Sequence, residues 1–134
     1  MRKNKILWFL WANPAFTASS RLQGLAIHHQ LMKLGYASEI AYIPTSFERA
    51  IPFSSYLEKA LSQLLNAGDI VILQKCKDKS NLLVVQFFKK IRATVLLIDC
   101  DLPIAEDVGK AVDRIICSSE LLRAAYFKVN QQSA

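Results

Sequence analysis

Asp99 and Asp101 close the stretch VLLIDCDLP, Val95 to Pro103, directly after a run of aliphatic residues. An Asp-x-Asp at the end of a buried strand suits three kinds of chemistry. It could hold a divalent cation together with a nucleotide-sugar. It could supply a general base to a hydroxyl nucleophile. It could accept hydrogen bonds from a ligand or cap its own loop. A hard cation needs more oxygen ligands than two acids supply. Asp107 offers a third carboxylate, but no histidine is arranged with the set. That count disfavours a metal, and none is expected, while catalytic base, ligand hydrogen-bond acceptor and simple loop cap all stay open.

Other residues could bind anions. Ser19, Ser20 and Arg21 fall at a predicted helix start, where backbone N–H groups and the helix dipole favour negative charge. The plainer alternative makes Ser20 a cap and Arg21 a solvated side chain. Lys75, Lys77 and Lys79 alternate with Cys76 and Asp78, either as a phosphate trap or as a solvated loop. Lys75 lies nearest the strand end. His28 and His29 are adjacent on a helix, so they cannot grip one ion together. His28 falls on the apolar side and reads as a core residue. The loop WANPAFTASSR has no glycine, and a dinucleotide fingerprint needs glycines for backbone to approach a pyrophosphate. No cofactor is expected.

These side chains need a scaffold. A chain of 134 residues, 52% of them apolar, suits one domain with one core. The net charge of +6 favours anionic partners such as phosphates, nucleotides or an acidic membrane surface. No basic stripe with aromatic partners is present, so nucleic acid is not expected. Cys76, Cys100 and Cys117 are odd in number and far apart, which argues against a disulfide framework or a zinc site. A reduced, cytoplasmic setting is the expectation. Arg2, Lys3 and Lys5 before the run Ile6 to Ala12 look like the opening of a signal peptide, but Asn13 and Pro14 break the run early. No run approaches the ~18 apolar residues of a membrane span. Any membrane association would be peripheral.

Short apolar runs alternate with longer amphipathic ones. Strands are predicted at Ile6–Trp11, Ser38–Ile43, Ile70–Gln74, Thr94–Ile98 and Arg114–Cys117. Helices are predicted at Ser20–Leu34, from Ser55 towards Gly68, at Asn81–Arg92 and at Ser119–Phe127. Ser20 with Gln23 and Ser55 with Glu58 fit capping boxes, and Gly35 fits a helix C-terminus. The tail Asn130–Ala134 is polar and is expected to fray. Apolar strands joined by helices mean a parallel sheet covered on both faces, an α/β Rossmann-like three-layer sandwich of about five strands. Ligands of such sheets bind beyond the carboxyl ends of the strands. The loops Asn13–Ser20, Pro44–Pro52, Lys75–Ser80, Asp99–Glu106 and Ser118–Ser119 lie there.

KILWFLWANP followed by SSRLQGLAIHHQLMKLGY, then GDIVILQK, LIDCDLP and DRIICSSELL, occur in this order over nearly the whole chain. As a set they resemble the N-terminal half of a GT-B glycosyltransferase of the group 1 type. The resemblance implies an acceptor-binding domain facing a second, donor-binding domain that this sequence does not contain. It implies a nucleotide-sugar and an acceptor as substrates, with the sugar transferred to an acceptor hydroxyl. It assigns substrate binding to Ser20, Arg21, Lys75, Ser118 and Ser119, and a catalytic place to Asp99 and Asp101. Leu102 stands where many members carry a further aspartate. A GT-A reading of Asp99-Cys-Asp101 would instead predict manganese-dependent binding. A non-enzymatic α/β signalling or partner-binding module is the alternative. Its phospho-receiver version would need acids in WANPAFTASS, which has none.

Overall fold

A computed structural model describes residues 4–45 and 50–131. Arg2 and Lys3 of the basic opening, part of the loop Pro44–Pro52 and the end of the polar tail lie outside the described residues. Five strands form one sheet: β1 (Lys5–Leu10), β2 (Ala37–Tyr42), β3 (Ile70–Gln74), β4 (Thr94–Asp99) and β5 (Arg114–Cys117). Their order is β2-β1-β3-β4-β5, and every pair is parallel. The fold is a doubly wound α/β sandwich of the Rossmann-like kind. The order in which strands are added reverses between β1 and β3, because β2 lies on one side of β1 and β3, β4 and β5 lie on the other.

The central strands are apolar at consecutive positions, so both faces of the sheet are dry there. Leu7, Phe9, Val71, Leu73, Val95 and Leu97 face the larger core. Ile6, Trp8, Leu10, Ile72 and Ile98 face the smaller one. The larger core is closed by α2 (Ser55–Leu64), α3 (Leu82–Lys90), α4 (Glu106–Ala111) and α5 (Glu120–Phe127). The smaller is closed by α1, residues 18–33.

Helix α1 has three parts: an α turn Ala18–Ser20, a π turn Arg21–Leu25 and an α segment Ala26–Lys33. A Cβ added at Gly24 would meet Leu10 Cδ2 at 2.8 Å, so glycine lets the π turn lie directly on β1. Gly35, at φ +90°, ends the helix, with its N–H and that of Tyr36 on the carbonyls of Met32 and Leu31. His28 is buried, and its Nδ1 lies 2.7 Å from Ser38 Oγ, which also accepts the indole N–H of Trp8 at 2.9 Å. Burial, then the neighbouring His29, lowers the pKa of His28.

Three local expectations need correction. Ser20 is not a cap, because α1 begins at Ala18 and Ser20 is buried inside the helix, donating to Gln74 Oε1 at 3.2 Å. Ser54, not Ser55, caps α2, accepting the Leu57 N–H at 3.3 Å. Helix α4 occupies a stretch to which no element was assigned beyond the loop ending at Glu106, being too short to display a helical period.

Candidate functional site

A cleft of ≈ 410 Å³ opens at the carboxyl edge of the sheet, lined by Trp11, Lys75, Lys77, Asp78 and the segment Asp101 to Ala105. Trp11 follows β1 and Lys75 follows β3. The cleft thus sits at the topological switch point, where doubly wound sheets leave a crevice between diverging connections. The Trp11 N–H donates to the carbonyl of Gln74 at 3.1 Å, tying the two strand ends together. Its indole N–H donates to Ser19 Oγ at 3.3 Å.

Asp99 is the last residue of β4 and is 0% exposed. Its Oδ2 accepts the Tyr126 hydroxyl at 2.6 Å and Lys77 Nζ at 2.8 Å. Its Oδ1 accepts the backbone N–H groups of Cys100 at 2.8 Å and Asp101 at 3.3 Å. Four donors saturate one carboxylate, and none of them is a ligand. Lys77 spends its remaining protons on the carbonyls of Asp101 at 2.7 Å and Pro103 at 2.8 Å. The Tyr126 hydroxyl also accepts the Ala105 N–H at 3.0 Å. Together Asp99, Lys77 and Tyr126 pin the segment Asp99 to Ala105, which includes a cis peptide at Leu102–Pro103. Burial, then the bond to Asp99, pushes the Tyr126 phenol well above its ordinary range.

Asp101 has the opposite surroundings. Its side chain is 56% exposed on the cleft rim and forms an ion pair with Lys75. The hydrogen bond from Lys75 holds its carboxyl below the usual range. The Lys75 side chain is only 10% exposed, and its Nζ lies 4.2 Å from the centre of the Trp11 ring. An ammonium over an indole face is attracted by the ring quadrupole. Lys75 has φ 59°, a left-handed backbone that costs a non-glycine residue about 1 kcal/mol or more. Burial raises the pKa of the adjacent Cys100 thiol.

Of the seven residues singled out from the sequence, the structure brings Lys75 and Asp101 together in the cleft, with Asp99 beneath them. Ser20 is held inside α1 against Gln74. Arg21 is exposed and turns back, its Nη1 donating to the carbonyl of Pro14 at 2.9 Å. Ser119 caps α5 through the Leu122 N–H at 3.2 Å. The exposed Ser118 donates its N–H to the Asp99 carbonyl at 3.2 Å. None of these four lines the cleft. Lys75 and Lys77 are both spent on acids, which weighs against a ready-made phosphate trap.

Trp11 and Tyr126 were not singled out, and Lys77 was read only as one of three alternating lysines, not as the partner of Asp99. Trp11 could have been found from its place directly after β1. Tyr126 carries no local signal, because its link to Asp99 spans most of the last two strand–helix units. Among the described residues no group of three or more His, Cys, Asp or Glu could hold a metal ion, and no helix is long and apolar enough to cross a membrane. No family model and no curated protein matches the chain.

Proposed function

We propose that this domain is the acceptor-binding half of a glycosyltransferase and that the acceptor sits in the Trp11–Lys75–Asp101 cleft. The observation that carries this reading is an exposed carboxylate beside an indole at the switch point of the sheet. Sugar hydroxyls donate to carboxylates, and the C–H face of a pyranose packs on an aromatic ring. The apolar wall of Leu102, Pro103 and Ile104 would exclude water from one side. The order of motifs along the chain supports the transferase class. In the reaction, the bond from the sugar carbon to the nucleoside diphosphate breaks. A new bond forms to the acceptor oxygen, whose proton passes to the departing nucleoside diphosphate. Nucleotide-sugar recognition belongs to a second domain on this reading.

Asp101 is the acid that can meet an acceptor, and Asp99 holds the loop under it. With its pKa depressed by Lys75, Asp101 is suited to accepting a hydrogen bond from a hydroxyl and weakly suited to removing the proton. Its role here is to orient the nucleophile. NMR titration of this chain with methyl glycosides tests the proposal. The expected result is a set of shifts confined to Trp11, Lys75 and residues 101–105, with no such response to a nucleotide-sugar alone. Rapid hydrolysis of a nucleotide-sugar by this chain, or glycoside shifts elsewhere, would overturn the half-enzyme reading.

A further inference from the structure

The two lysines of the cleft are held in unequal ways. Lys77 Nζ donates to three acceptors, Asp99 Oδ2 at 2.8 Å and the carbonyls of Asp101 at 2.7 Å and Pro103 at 2.8 Å. Those bonds use every proton of its ammonium, and one of them reaches a fully buried carboxylate. Lys75 Nζ meets one carboxylate, on the exposed Asp101, and one ring, with 4.2 Å to the centre of Trp11. The main chain at Lys75 is fixed on both sides, its N–H donating to the carbonyl of Ile98 at 2.9 Å and its carbonyl accepting from Lys77 at 2.8 Å. Only the four-carbon stem is left to move. The ammonium at its end covers the two groups that a sugar would use. Trp11 packs against the larger core, and Lys75 lies over its ring from the cleft.

We propose that Lys75 is the gate of the acceptor subsite: its ammonium occupies the place of the sugar, and an uncharged glycoside enters by displacing it. This rests on the acceptor reading of the cleft and assigns to Lys75 a part opposed to substrate binding. A pyranose replaces both contacts, with a hydroxyl donating to Asp101 and a C–H face lying on Trp11. The contacts that it breaks are weak, because a pair with an exposed acid is screened by water and a cation–π contact near the surface is modest. The displaced ammonium turns out to solvent, where it is strongly hydrated. A sugar phosphate gains nothing at the vacated place. Asp101 repels it, and Lys77 has no proton left to offer. The gate thus selects uncharged acceptors.

The test compares the affinity of methyl glycosides for the wild-type chain and for Lys75→Met, read by NMR titration at residues 101–105. Methionine keeps an unbranched stem and removes the charge. The expected result is tightening by about three- to thirtyfold, the worth of an exposed ion pair and a cation–π contact together. Lys75→Gly, which suits the φ of 59°, tightens binding likewise, so the gain does not come from the methionine itself. Lys75→Arg renews both contacts and binds as weakly as wild type. An uncharged ligand has nothing for salt to screen, so a salt response reports the ion pair. Wild-type affinity rises between about 0.02 and 0.5 M NaCl, and that of Lys75→Met stays level. Lys79→Met removes the same charge from an exposed neighbour outside the cleft and leaves affinity unchanged. Weaker or equal binding by both Lys75→Met and Lys75→Gly overturns the gate and leaves the acceptor reading standing. So does tighter binding of a sugar phosphate than of its methyl glycoside by wild type. Absence of glycoside shifts in the cleft, in wild type and in both variants, overturns the gate and the acceptor reading together.

Discussion

The two edges of the sheet each place two aspartates, and they use them differently. At the amino edge, Asp69 is fully buried and accepts the N–H groups of Lys5 and Asn66, both at 2.8 Å. Asp113 accepts the Val95 N–H at 2.8 Å and pairs with Lys89. Both acids stitch the start of one strand to its neighbour. At the carboxyl edge, Asp99 and Asp101 meet lysines, and only Asp99 is buried. The amino edge is closed by its acids, whereas the carboxyl edge uses one acid to fix a loop and leaves the other facing solvent. An exposed, ion-paired acid adds little to stability.

That contrast predicts a graded mutational series. Asp99→Ala removes the partner of Lys77 and of the buried Tyr126 hydroxyl, and should cost about 3–5 kcal/mol, read from urea denaturation. A loss below about 1 kcal/mol would place Asp99 with the rim acids rather than the anchors. Asp69→Ala leaves the N–H groups of Lys5 in β1 and of Asn66 in the turn before β3 without this acceptor and should cost about 1–3 kcal/mol in the same assay. Asp101→Asn should change stability by less than about 1 kcal/mol while weakening glycoside binding about tenfold. If Asp101→Asn unfolded the domain as far as Asp99→Ala does, the distinction between the two neighbours would collapse.

The smallest expected effect lies away from both edges. His28 has a folded pKa below its ordinary 6.5, so the unfolded chain binds the proton more readily. Stability from this group is therefore present above pH 6.5 and falls as the pH drops from there through the folded value. The slope cannot exceed about 1.4 kcal/mol per pH unit for one proton. Urea midpoints between neutral and mildly acid pH should show it, and His28→Asn should flatten that segment of the curve.

The three central strands were legible in the sequence because their apolar runs are too continuous for a half-exposed sheet, and the alternation of strands with helices made the arrangement parallel, whereas the edge strand β2 carries Ser38 and Glu39 and alternates in burial. Gly35 marked the end of α1 for the same local reason that it adopts a positive φ. Ser20 misled, because the letters of a capping box do not reveal that Gln74, far along the chain, draws its hydroxyl inward. Asp99 and Asp101 looked equivalent, two residues apart on one loop. Their difference is made by Lys75, Lys77 and Tyr126, whose positions depend on the assembled sheet. Lys75 was legible from its place at a strand end, but its pairing with Asp101 was not.

The left-handed backbone at Lys75 also changes the phase of the chain. Along β3, Val71 and Leu73 point to the larger core, and strict alternation would send residue 75 after them. Instead Cys76 takes that buried place, 3% exposed with its thiol 3.4 Å from the carbonyl of Phe9. Lys75 and Lys77 fall on the other beat and reach the cleft. One residue inserted or deleted between Gln74 and Asp78 would exchange the partners, bringing an ammonium into the core and a thiol to the rim. Spacing in this short stretch is therefore under tighter constraint than the identity of any one of its side chains.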